Sequence, residues 1–270
     1  MTNALGYAAS LAGGLTEGFS SGTMEHMFQA GLAAQNAILG AQIAATGATA
    51  SEVTLEGRHG FYRSFSGSLE KIHRATADLG KSFSILEIRR KPYPAHGFNQ
   101  ESIALVQDLM VRYKPDPLKI ERVVERASLK KKGYAGVDAC PPYKNVFQAL
   151  LSIQFCLAAA LLGRPVDSYQ FFFEHYDDPE VADLAKKIEI VGEEGREILR
   201  IELHYKDGTQ QHIEKDASEI LIPTWENTEA KFRKMAAGAL SEGRISEIIH
   251  LMHKLETVEN IRQFSDKLRR

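Results

Sequence analysis

Residues 198–215 restrict the fold more than any other stretch. Leu199, Ile201, Leu203 and Tyr205 alternate with Arg200, Glu202, His204 and Lys206, the period-two pattern of a strand with one dry face and one wet face. Asp207-Gly208 follows at once, a pair suited to a tight hairpin turn, and residues 210–215 return as the partner strand. A two-stranded hairpin cannot bury its apolar face alone, so it requires further strands and a helical layer. Residues 120–127, rich in β-branched side chains, read as another strand. Residues 84–93 do too, with Ile85, Leu86 and Ile88 ahead of Pro92 and Pro94.

The flanks carry a helical pattern instead. Ser20, Ser21 and Thr23 offer caps for a helix running to about Thr46, where Gly47 supplies the stop. Within it Gly31, Ala34, Ala37, Gly40, Ala41 and Ala44 form a small-residue face, expected to be buried. A further helix is expected over residues 68–79, ended by Gly80. Asn99 is placed to cap a helix to about Tyr113, stopped by Pro115 and Pro117. Asn145 is placed to cap a helix to Leu162 that is apolar nearly all round, so it is expected at the centre. Residues 130–142 read as a solvated loop with three consecutive lysines. Residues 225–240, 246–255 and 259–268 read as amphipathic helices. The order helical, mixed, helical predicts an α+β fold. A helical domain (1–83 and 223–270) is interrupted by an inserted α+β lid domain (84–222). The chain opens on small packing residues, Gly6, Ala8, Ala9 and Ala12, so the helical domain is expected to be truncated at its N-terminus.

Composition narrows the function. A formal charge of −2 provides no basic field for a nucleic-acid backbone. Two cysteines, Cys140 and Cys156, build neither a disulfide framework nor a cysteine-rich metal site. The most apolar stretch, residues 147–162, falls short of the ~20 residues a bilayer span needs, so no membrane is expected. The opening residues lack the basic character of a leader, which favours the cytoplasm, with a mitochondrial location open if a leader has been lost.

No phosphate loop, dinucleotide fingerprint, nucleophile elbow or zinc-type spacing occurs. His250 and His253 lie three apart on a helix without an acidic partner on the same turn, so they read as a solvated face and no metal is expected. The chemistry-bearing stretch is Arg89-Arg90-Lys91-Pro92-Tyr93-Pro94-Ala95-His96. Prolines fix φ, so Lys91 and His96 project from a turn with little entropy left to lose. A cation and an imidazole so placed suit a carboxylate substrate and proton transfer at its α-carbon. The same residues also fit an ordinary strand-end turn with surface charges.

Four blocks resemble the MmgE/PrpD family, which includes 2-methylcitrate dehydratase and cis-aconitate decarboxylase. They are Gly22-Thr23-Met24-Glu25-His26 through Asn36 with Leu55-Glu56-Gly57 and Gly60-Phe61-Tyr62; the Lys91 to His96 turn; the apolar helix from Ala149 to Leu162; and Thr228-Glu229-Ala230-Lys231-Phe232. The resemblance implies a helical domain, a smaller lid and a cleft that binds a tricarboxylic acid. It also implies a homodimer working without metal or organic cofactor. On that reading Lys91 binds a carboxylate and His96 shuttles a proton. His26 stands where many members carry a lysine, and Gln29 and Gln100 where they carry histidines. His26 and Tyr143 are further catalytic candidates, and Thr23 a further oxygen binder. Family chains carry an additional helical segment ahead of the point where this sequence begins. The resulting expectation is a cofactor-independent lyase of a 2-methylcitrate-like or cis-aconitate-like acid. The alternatives are a non-catalytic relative or assembly partner, and a dicarboxylate epimerase or isomerase.

Overall fold

The computed structural model describes residues 1–88, 90–216 and 224–268. The expected return point at residues 222 and 223 therefore lies outside the described residues, as does Arg89. The chain forms two compact units, Met1–Ile88 and the remainder from residue 89 on.

The first unit is helical. Helices α1 (Thr2–Ser10), α2 (Glu17–Ser21), α3 (His26–Ala45) and α4 (Phe61–Ser66) are followed by 3-10 turns at Ile72–Ala75 and Ser84–Glu87. Helix α1 packs against α3 at Gly40 and against the segment that follows α3 at its own Gly6. A methyl group on Gly40 would sit 3.0 Å from the Ala8 nitrogen, and one on Gly6 2.6 Å from the Ala50 side chain. Side chains then tie the crossing down: Asn36 Nδ2 donates to the Leu11 carbonyl at 2.9 Å and Tyr7 to that of Thr49 at 3.1 Å.

Three expectations for this unit need correction. Of the small-residue face of α3 only Gly40 is buried, where the backbone of α1 approaches most closely; the other small residues stay exposed or half-buried. Residues 68–79 form only a short 3-10 turn. Residues 84–88 are no strand: Ser84–Glu87 is a 3-10 turn with Ile85, Leu86 and Ile88 exposed. Strands persist by pairing, and no described strand pairs here; a short apolar run does not specify its own backbone. The caps expected from Ser20, Ser21 and Thr23 are also absent, since α3 begins after Glu25 with no side-chain cap.

The second unit is the α+β part. It contains α5 (Asn99–Tyr113), β1 (Ile120–Ser128), α6 (Leu129–Lys132), α7 (Val146–Leu151), α8 (Ile153–Leu161), α9 (Tyr169–His175) and α10 (Pro179–Ala185). Strands β2 (Ile188–Glu193), β3 (Leu199–Tyr205) and β4 (Gln210–Lys215) follow, then α11 (Trp225–Ala236), α12 (Glu242–His253) and α13 (Arg262–Lys267). The sheet order is β2-β1-β3-β4, with β1 and β2 parallel and the other pairs antiparallel. Helices α5 and α8 pack on one face of the sheet. The other face carries cross-strand ion pairs: Arg126 reaches Glu193 and Glu202, each at 2.9 Å.

Every residue of α8 is buried, as its all-round apolarity requires. The single helix expected over residues 145–162 is nevertheless two. Ser152 leaves helical geometry (ψ 124°), ends α7 and caps α8 by accepting from the Phe155 N–H. Asn145 does cap α7 through the Gln148 N–H at 3.0 Å. Asn99 does not cap α5. It lies inside the first turn, buried, and donates to the Leu151 carbonyl at 2.8 Å.

The lysine run is not a solvated loop either. Residues 129–132 form α6, and Lys131 is buried. Its ammonium pairs with the fully buried Glu125 at 2.7 Å and donates to Ser102 Oγ at 2.6 Å.

Candidate functional site

The turn at residues 91–98 is held from beneath by one amide. Gln100, buried at the start of α5, donates through Nε2 to the carbonyls of Tyr93, Ala95 and His96 at 3.0, 2.9 and 3.2 Å. Its Oε1 accepts the Tyr93 N–H at 3.0 Å. The His96 N–H then docks the turn on the Leu150 carbonyl at 2.9 Å. The prolines restrict the turn, and Gln100 satisfies the backbone groups they leave.

His96 is half-buried. Its ring lies 4.8 Å from that of Tyr134 and 5.6 Å from that of Phe98. Its Nδ1 accepts the Phe98 N–H at 3.3 Å, which fixes the tautomer with the proton on Nε2 when the ring is neutral.

Lys91 meets helix α11. The Lys231 ammonium donates to the backbone carbonyl of Lys91, 140 residues away in sequence, close enough for the Lys91 charge to act on it. Burial lowers the pKa of Lys91, although its side chain keeps solvent contact. Burial, and then the charge of Lys91, lower that of Lys231. Neither ammonium forms an ion pair among the described residues, although such pairs are frequent elsewhere in this unit. The acid of this neighbourhood is already engaged: Asp167 pairs with Lys234, one turn along α11 from Lys231. The Tyr93 hydroxyl donates to Gln107 at 2.7 Å, and burial followed by the Asp167 charge pushes its pKa up to about 12, so it stays a donor at neutral pH.

The other candidates lie elsewhere. Tyr143 is in the core of the second unit, edge-on to Phe155 at 5.3 Å. Its hydroxyl is 3.1 Å from Ser152 Oγ, and burial raises its pKa strongly. Thr23 and His26 are neighbours in the first unit. The Thr23 side chain hydrogen-bonds the Glu25 carboxylate and holds its pKa below the usual range, with His26 adding a smaller contribution. His26 starts α3 with its ring 4.6 Å from that of Phe19.

Sequence reasoning missed Lys231 and the anchoring role of Gln100. The available signal was the lysine within Thr228-Glu229-Ala230-Lys231-Phe232, but nothing in its spacing announced a partner 140 residues away. It also missed the partner of His253: Glu229 Oε1, supplied by α11, lies 2.5 Å from its Nε2. No group of three or more metal-ligating side chains occurs among the described residues, and no described helix is long and apolar enough to cross a membrane.

Comparison with known proteins extends over both units. The MmgE/PrpD N-terminal domain matches residues 1–72 and the MmgE/PrpD C-terminal domain residues 93–257. Two cis-aconitate decarboxylases of Aspergillus terreus, one from strain NIH 2624, are each 26% identical to this chain over 285 residues. The match takes in 97% of this chain and 58% of each relative, so the chain spans little more than half their length.

Proposed function

The chain belongs to the MmgE/PrpD family, and from that premise we propose that it serves as a cofactor-independent lyase on a tricarboxylic acid. The observation that carries the reading is the meeting of Lys91 and Lys231, two ammonium groups without a carboxylate partner among the described residues. Like charges held close together are costly, more so where one of them is partly buried as Lys231 is, and an anion between them offsets that cost. A substrate carboxylate is such an anion, and the decarboxylases that this chain resembles act on one. In this reading Lys91 binds a carboxylate, and His96, whose tautomer is set by the Phe98 N–H, moves the proton.

Two reactions fit. In a dehydration, a base takes the proton α to a carboxylate, the C–C double bond forms as the C–O bond breaks, and hydroxide leaves with a proton as water. In a decarboxylation, a C–C bond breaks, carbon dioxide leaves, and the electron pair left on carbon takes a proton. His26, Thr23 and Tyr143 remain proposals for further proton transfer and oxygen binding. The division into a helical part and a lid over residues 84–222 belongs to the same proposal.

A second reading, a non-catalytic relative, draws on Gln100. The resemblance puts a histidine at this position, and here an amide is committed to the turn backbone. Incubating the protein with cis-aconitate and with 2-methylcitrate, and following carbon dioxide and water loss by mass spectrometry, decides between them. Turnover of either acid that falls at least several-fold in Lys91→Ala supports the lyase. Inertness toward both, in this chain and in a form as long as its relatives, leaves the non-catalytic relative.

A further inference from the structure

We infer that Lys231, on α11, is a specificity-determining residue that completes a two-lysine clamp with Lys91 for one carboxylate of a multiply charged acid. The inference takes its ligand class from the tricarboxylate reading, but its charge arrangement stands on separate observations.

The first is geometric. The Lys231 ammonium donates to the Lys91 carbonyl, so the side chain of one cation is fastened to the backbone that carries the other. The turn itself is immobilised by Gln100 and by the His96 to Leu150 hydrogen bond. The Lys231 charge is thus held in place beside the Lys91 backbone, so little entropy is lost at that lysine when an anion is bound.

The second is the pattern of compensation around the pair. Asp167 neutralises Lys234, and Asp108 takes both Arg112 at 2.9 Å and Lys215 at 3.1 Å. Lys234 on the same helix, and Arg112 and Lys215 elsewhere in this unit, therefore have counter-ions supplied by the chain, and Lys91 and Lys231 have none among the described residues. The Tyr93 hydroxyl, held by Gln107, adds a neutral donor on the same turn. The arrangement selects for charge on the ligand. A dianion or trianion gains from both lysines, and a neutral or singly charged acid gains much less.

Lys231 could instead be no more than a strut for the turn, and the substitution is chosen to separate the two roles. Lys231→Gln retains an N–H donor and removes the charge; Lys231→Arg retains both. The ligand is tricarballylate, a tricarboxylate with neither hydroxyl nor double bond, so binding is read without turnover. Isothermal titration at several salt concentrations should show about tenfold weaker binding for Lys231→Gln, with a shallower salt dependence. Lys231→Arg should stay within about twofold of the wild type. Wild-type affinity in Lys231→Gln would overturn the clamp. So would an equal loss in Lys231→Arg with unfolding midpoints unchanged, which assigns a packing role. Lys231-dependent binding of inorganic phosphate without binding of tricarballylate would support the clamp and remove the tricarboxylate reading. Binding of neither anion would overturn the clamp.

Discussion

Lysines occur in two opposite settings within the second unit. Lys131 is buried with Glu125 and Ser102 in the core between α5, α6 and β1, its charge met by the chain itself. The exposed Lys91 and the partly buried Lys231 lie together at the surface turn, with no carboxylate supplied among the described residues. Removing a partner from a buried pair leaves an orphaned charge in a dry place. Removing one of two mutually repelling cations costs the fold nothing of that kind. The comparison separates a charge used to build the molecule from charges held for something outside it.

The contrast breaks most readily at the buried pair. Lys131→Ala leaves Glu125 alone in the core and should cost about 3–5 kcal/mol, read as a lower urea midpoint; a loss below about 1 kcal/mol would mean that water already reaches the carboxylate. Gln100→Ala comes next. It strips the Tyr93 N–H and the Tyr93 and Ala95 carbonyls of their partner, whereas the His96 carbonyl keeps the Asn99 N–H. The substitution should cost about 1–3 kcal/mol, while loosening the turn enough to weaken tricarballylate binding. Stability lost without any change in binding would detach the turn from the site. The smallest stability effect belongs to Lys91→Ala, expected within about 0.5 kcal/mol of the wild type even though anion affinity falls several-fold.

The pH dependence sharpens the same contrast. Folding lowers the pKa values of Lys91 and Lys231 below the ordinary lysine value. Between the folded and unfolded values the unfolded chain binds more protons, so these two groups make stability rise with pH across that window. A bound carboxylate favours their charged forms. Tricarballylate binding in mildly alkaline buffer should therefore take up protons, and affinity should fall as pH rises through the depressed values. Calorimetry in buffers of different ionisation enthalpy reads the uptake, and proton release on binding would contradict it.

Much of this was legible in the sequence where a local rule dominates. The β3–β4 hairpin follows from alternation and Asp207-Gly208, and α8 is central because no face of it is polar. The failures occurred where distant contacts decide. Ser152 falls inside the single helix expected over residues 145–162 and is the cap that makes two. Lys131 looked like one of three solvated lysines, because Glu125 belongs to another element. Strand β2 carried no alternation strong enough to notice and is fixed by pairing with β1. At the site, Lys91 and His96 were visible through the proline turn. Lys231 was not, since its meaning depends on where the chain brings α11.

The most direct test of the central claim is the titration of the Lys91 and Lys231 ammonium groups by nitrogen-edited NMR of the lysine side chains, with and without tricarballylate. The account predicts two lysines titrating below the ordinary lysine value in the free protein, and both moving upward when the acid is added. Two ordinary lysines, unmoved by saturating tricarballylate, would contradict it.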